Sequence, residues 1–106
     1  MKEQKIYVGI DKDDYGGMTS MGGIVKDAWV FGLIPETETC EGWNLAGMQT
    51  LFDKTRDEWD KYGCLVSKLP PELRERHDRI YGAALEKALT MGWEPEMFGD
   101  DEKEDT

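Results

Sequence analysis

Three times in this chain an apolar segment runs into a glycine followed by a hydrophobe: Gly32-Leu33, Gly63-Cys64 and Gly92-Trp93. This punctuation constrains the fold more than any other feature. A glycine that takes a positive φ ends an α-helix in a left-handed cap, and the next apolar side chain folds back onto the last turn. Pro35 and Pro95 follow two of the stops, and a proline cannot continue a helix. Three helices are therefore expected, each ending at one of these glycines.

The starts are read from capping chemistry. Thr19 or Ser20 can accept a hydrogen bond from the first turn of a helix over about Met21 to Phe31. Gly22 and Gly23 weaken that turn by roughly 1 kcal/mol each relative to alanine. Residues 28–34, AWVFGLI, would also suit a buried strand, but Lys26-Asp27 interrupts any alternation and the Gly32 stop favours helix. Asn44 can cap the second helix, with Trp43 before it and Met48 placed for a hydrophobic staple. Pro71 and Glu72 suit the first turn of the third.

Spacing then assigns faces. Leu45, Met48, Phe52, Thr55, Trp59 and Tyr62 recur at intervals of 3, 4, 3, 4 and 3, which puts them on one helical stripe. The third helix is expected to bury Leu73, Ile80, Tyr81, Ala84, Leu85, Ala88 and Leu89. Ahead of the helices, residues 4–10 place Ile6, Val8 and Ile10 on one face and Tyr7 on the other, the period of a short strand. A strand must pair, and two partners are available: residues 64–68, CLVSK, or the same segment of a second copy.

The fold class expected is mainly α: a short N-terminal strand, a small three-helix bundle and an acidic C-terminal tail, becoming α+β if the strand pairs internally. Residues 1–98 form one compact domain, and residues 99–106 a disordered acidic tail. The tail carries −4 of the total net charge of −10. An acidic surface repels nucleic acid and anionic lipid, so direct nucleic-acid or membrane binding is not expected. No stretch reads as a signal peptide or a membrane span. A cytoplasmic location follows, with Cys40 and Cys64 reduced.

Three candidate sites are tested against the chemistry they would need. The loop DKDDYGGMTSMGG beginning at Asp11 offers Asp11, Asp13 and Asp14 to a cation, but its fifth position is Tyr15 and the twelfth is Gly22 instead of a bidentate glutamate. As a phosphate loop it has the Gly17–Gly22 spacing, yet Gly23 stands where a lysine belongs and three acids crowd the entrance. The reading that fits every residue is a sharp turn leading to a helix cap. Cys40 lies near a helix start, where a thiol can be activated, and His77 is the only histidine to serve as its base. Glu36, Glu38 and Glu41 oppose that activation. A zinc site from Cys40, Cys64 and His77 lacks closely spaced ligand pairs.

No catalytic, cofactor or metal site is complete, and no cofactor is expected. Four Trp, four Tyr and three Phe are many for so small a body to bury, and exposed aromatic residues favour protein contacts. The sequence points first to a non-enzymatic interaction or regulatory module, with a basic protein as partner or a homodimer formed through residues 4–10. A thiol-dependent enzyme or redox-responsive protein using Cys40 and His77 stands second. An acidic mimic of nucleic acid stands third.

Overall fold

A computed structural model describes residues 6–94. The protein is mainly helical: α1 (Ser20–Val30), α2 (Leu45–Asp60) and α3 (Pro71–Thr90), with short 3-10 turns at Ile10–Lys12, Asp14–Gly16 and Val66–Lys68. The expected tail at 99–106, the boundary at 98 and Pro95 lie outside the described residues.

All three glycine stops form as expected. Gly32, Gly63 and Gly92 have φ of 71°, 63° and 95°. At each, the following amide reaches back five residues: Leu33 N–H to Ala28 C=O at 2.9 Å, Cys64 to Trp59 at 2.9 Å and Trp93 to Ala88 at 3.0 Å. The glycine amides bond three residues back, which completes the two-bond Schellman pattern. AWVFGLI is thus the end of a helix and its cap.

The starts also follow side-chain chemistry. Thr19 Oγ1 accepts from Gly22 N–H at 3.0 Å, and Asn44 Oδ1 accepts from Gly47 N–H at 2.8 Å. Pro71 occupies the first helical position of α3, whose first turn closes with Arg74 N–H donating to Pro70 C=O at 2.8 Å.

The shortest helix is the central one. Both α2 and α3 pack on α1, and α1 buries Val25, Lys26, Ala28 and Val30. The main core gathers Tyr7, Ile10, Val25, Ala28, Cys40, Met48 and Leu51, with Trp29 and Trp43 against it. Fully burying a residue such as Met48 stabilises by about 1.5–3 kcal/mol.

Two face assignments need correction. In α2 the buried residues are Met48, Leu51 and Thr55, while Leu45 at the head of the expected stripe is exposed. The helix is turned so that Leu51 meets the core and the aromatic residues lie on its flank. In α3 only Ile80 and Ala88 are buried, and Leu85 and Leu89 face outward. Because α3 leans on a helix about half its length, it has less partner surface than its apolar residues would cover.

The N-terminal segment differs from expectation as well. Among the described residues there is no strand, only an isolated antiparallel bridge between Ile6 and Asn44. Tyr7 N–H donates to Trp43 C=O at 2.8 Å, Gly42 N–H to Tyr7 C=O at 2.9 Å, and Ile10 N–H to Thr39 C=O at 3.1 Å. The segment therefore finds its partner in the 39–44 loop. Residues 64–68 do not pair with it, because Cys64 sits at φ 61° in the cap of α2 and Val66–Lys68 coil into a 3-10 turn.

Candidate functional site

The acid-glycine loop folds around one carboxylate. Asp13 accepts from Tyr7 O–H at 2.7 Å, Thr19 O–H at 2.5 Å and Asp14 N–H at 2.7 Å. It ties the N-terminal segment to the residue that caps α1. Burial and the Asp13 carboxylate both push the Tyr7 phenol well above its ordinary range, so it stays a donor. Asp11 and Asp14 are exposed, and Asp11 faces Lys87 Nζ at 3.8 Å. Among the described residues no group of three or more His, Cys, Asp or Glu is arranged to hold a metal ion.

The glycines of this loop serve close approach. A Cβ on Gly22 would lie 2.0 Å from the Gly17 carbonyl oxygen. Gly17 itself, at φ 100°, would place a Cβ 2.3 Å from Ile10 Cγ1. The loop backbone is thus pressed onto the first turn of α1, where a phosphate would have to sit.

Cys40 and His77 lie in different surroundings. Cys40 is fully buried in the main core, in a loop residue at φ 66°. Burial, and after it the Glu38 carboxylate, pushes its thiol up to about 11, which suppresses the thiolate that reactivity needs. His77 stacks on Tyr81 with ring centroids 4.5 Å apart and meets the edge of Trp59 at 6.1 Å. Its Nδ1 is buried without a hydrogen bond, and the Asp78 carboxylate at 3.6 Å is beyond bonding distance. Cys64 is exposed at the end of α2.

The groups that converge are others. Asp27 accepts from Trp59 Nε1–H at 3.1 Å and from the Tyr81 hydroxyl, so one carboxylate of α1 links α2 to α3. Burial, then the Asp27 charge, holds the Tyr81 phenol protonated far above its ordinary range. Phe31 packs edge-on against Trp59 at 5.2 Å and parallel to Tyr62 at 6.4 Å. A half-buried carboxylate that accepts from two different helices favours one arrangement of the three.

Lys26, next in sequence, is 3% exposed. Its Nζ donates to Gly17 C=O at 3.1 Å, approaches Met18 Sδ at 3.5 Å and lies 5.2 Å above the Tyr81 ring. Among the described residues no carboxylate oxygen lies within 4 Å of it. Desolvation draws its pKa below the ordinary lysine value, and the fields of Asp27 and Asp13 partly restore it.

Lys26 lines a groove of about 220 Å³ between α1, α3 and the loop. Its walls are Ile10, Trp29, Ile80, Ala83 and Ala84. Arg79 and Glu36 pair bidentately at 2.9 and 2.8 Å on one rim, and Lys87 and Asp11 face each other on another.

A second surface lies where the N-terminal segment crosses the starts of α1 and α2. Ile6, Val8 and Leu45 are 50%, 51% and 56% exposed. Together with Met21 they line one shallow depression, and Met21 and Leu45 continue into the next, toward Phe52.

Sequence reasoning singled out the residue types most often used in catalysis and passed over Lys26, Asp27 and Tyr81. The available signal was the Lys26-Asp27 pair inside an otherwise apolar helix. No helix among the described residues is long and apolar enough to cross a membrane. No protein-family model matches the chain, and no curated protein or solved structure matches it.

Proposed function

We propose that the protein is a non-enzymatic interaction module that binds another protein through the apolar face of Ile6, Val8, Met21 and Leu45. The observation that carries this reading is the joint exposure of three large aliphatic side chains around one depression. Contiguous apolar surface of this kind is a feature of contact sites. The chain's net charge of −10 favours a partner with basic residues beside its apolar anchor, since complementary charge speeds encounter and rejects wrong partners. A cytosolic setting fits two free cysteines. The suppressed thiolate of Cys40 speaks against the thiol-dependent alternative.

A second copy of the chain is a less favoured occupant, because the backbone of residues 6–10 is already engaged by the 39–44 loop. Affinity capture from the native cell extract tests the reading with three baits: the wild type, Leu45→Glu and Leu89→Glu. A species retained by the wild type and by Leu89→Glu, but weakened about tenfold or more by Leu45→Glu, supports it, as expected for loss of a central contact. Equal retention by all three baits refutes it. Sedimentation of the purified chain reports self-association separately.

A further inference from the structure

We propose that the groove between α1 and α3 binds a small carboxylate carried on an apolar body of about one aromatic ring, with the Lys26 ammonium as its counter-ion. The inference concerns a different face from the contact surface above and does not depend on it.

Charge gives the first argument. Five charged side chains line the groove: Lys26, Arg79 and Lys87 against Asp11 and Glu36. The two carboxylates are matched on the rims by Arg79 and Lys87. Lys26 is left over, so the groove carries +1 inside a chain of net −10. The carboxylates whose fields reach Lys26 are occupied elsewhere. Asp13 serves Tyr7, Thr19 and Asp14, and Asp27 serves Trp59 and Tyr81. An ammonium has three donors. One goes to the Gly17 carbonyl and one to the Met18 sulfur, a weak acceptor. The Tyr81 ring lies 5.2 Å from Nζ, and beyond it no hydrogen-bond acceptor for the third donor is found among the described residues. A buried cation short of an anion is costly, and a bound carboxylate would supply both the charge and the missing acceptor.

Shape gives the second. A cavity of about 150 Å³ holds a benzene ring. At about 220 Å³ this groove has room for a ring and a short acid arm. Trp29 and Ile80 line it with apolar atoms, and the small Ala83 and Ala84 keep α3 low enough to leave the space open. A monoanion matches the single unpaired charge. A phosphate dianion would leave excess negative charge beside Asp11 and Glu36.

Phenylacetate is a suitable probe and phenylacetamide its neutral counterpart, both titrated into the full chain by calorimetry. The expected Kd for phenylacetate is on the order of 1 mM, as for a ligand of so few non-hydrogen atoms. The amide should bind at least about tenfold more weakly, the loss of a charge-assisted contact. In nitrogen-correlated NMR spectra phenylacetate should shift the Trp29 indole N–H and leave that of Trp43 in place. Lys26→Met should abolish the preference for the acid, and Ala84→Leu, which narrows the groove, should weaken both probes. No saturation below about 10 mM, equal binding of acid and amide, or an undiminished preference in a folded Lys26→Met would each overturn the proposal. Where Lys26→Met fails to fold, the acid–amide comparison and Ala84→Leu decide the matter.

Discussion

Gly22 and Gly23 are neighbours in the first turn of α1, and sequence gives no reason to treat them differently. The structure predicts opposite responses to alanine. Gly23 has nothing within 4 Å of an added Cβ. Gly23→Ala should therefore gain helix propensity alone, about 0.5–1 kcal/mol. At Gly22 the same methyl would lie 2.0 Å from the Gly17 oxygen, 2.6 Å from its carbonyl carbon and 2.7 Å from its Cα. These are backbone atoms, so no side-chain rotation relieves the contact. Gly17 cannot retreat easily, since it is itself pressed against Ile10.

The conflict belongs at the upper end of overpacking costs, about 3 kcal/mol. After subtracting the propensity gain of about 1 kcal/mol, Gly22→Ala should destabilise by about 2 kcal/mol. For a domain of this size 1 kcal/mol moves Tm by about 4–8 °C. Thermal unfolding followed by far-ultraviolet circular dichroism should therefore show Gly23→Ala rising by about 2–8 °C and Gly22→Ala falling by about 8–16 °C. Urea titration should give the same order through the midpoint with an unchanged slope. Two shifts of the same sign and similar size would refute the close approach of loop and helix on which the Asp13 cluster and the groove both rest.

The two thiols should react differently with iodoacetamide at pH 8. Peptide mapping of the folded protein should find Cys64 modified and Cys40 untouched, and comparable rates would contradict the burial of Cys40. The same thiol gives an alkaline pH dependence. The native state keeps its proton up to about 11, while the unfolded chain loses it near 9.0. Stability should fall as pH rises across that window, and Cys40→Ala should flatten the fall in urea midpoints. Tyr81→Phe removes one of two donors from Asp27 and should cost about 1–3 kcal/mol by urea unfolding. A neutral result would mean that Asp27 is satisfied by water.

Helix ends were legible because they are local. Each stop depends on a bond between residues five apart, and the caps of α1 and α2 on residues three apart. What covers a helix is not local. Leu45 has the spacing of a buried residue and Leu51 stands off the expected stripe, but the neighbour that decides between them is α1, some 20 residues away in sequence. The partner of residues 6–10 was equally hidden. The 39–44 loop has no strand pattern, and its turns use left-handed residues at Cys40 and Gly42, φ 66° and 84°. The acid-glycine loop does form a turn that runs into the Thr19 cap, as its residue types suggest. That reading could not foresee Asp13 as its centre, because Tyr7 and Thr19 meet there only once the chain has folded.

Lys26 and Asp27 show why a polar pair in the middle of a helix resists interpretation from sequence. In sequence they show only as a break in strand alternation. On an outer helix such a pair would face water. Here α1 has a helix on each side and a loop across its start, so neither residue reaches solvent freely. Asp27 turns toward α2 and α3 and finds two donors that hold both helices to it. Lys26, about 100° further round the helix, turns under the loop and finds a carbonyl, a sulfur and a ring face, but no anion. The same architecture buries Lys26 fully and Asp27 in part, and it leaves the more buried of the two without a charged partner. A chain under selection for stability alone would do better with an apolar residue at position 26, which makes the unmatched cation beside an open groove the feature of this fold that most calls for a ligand.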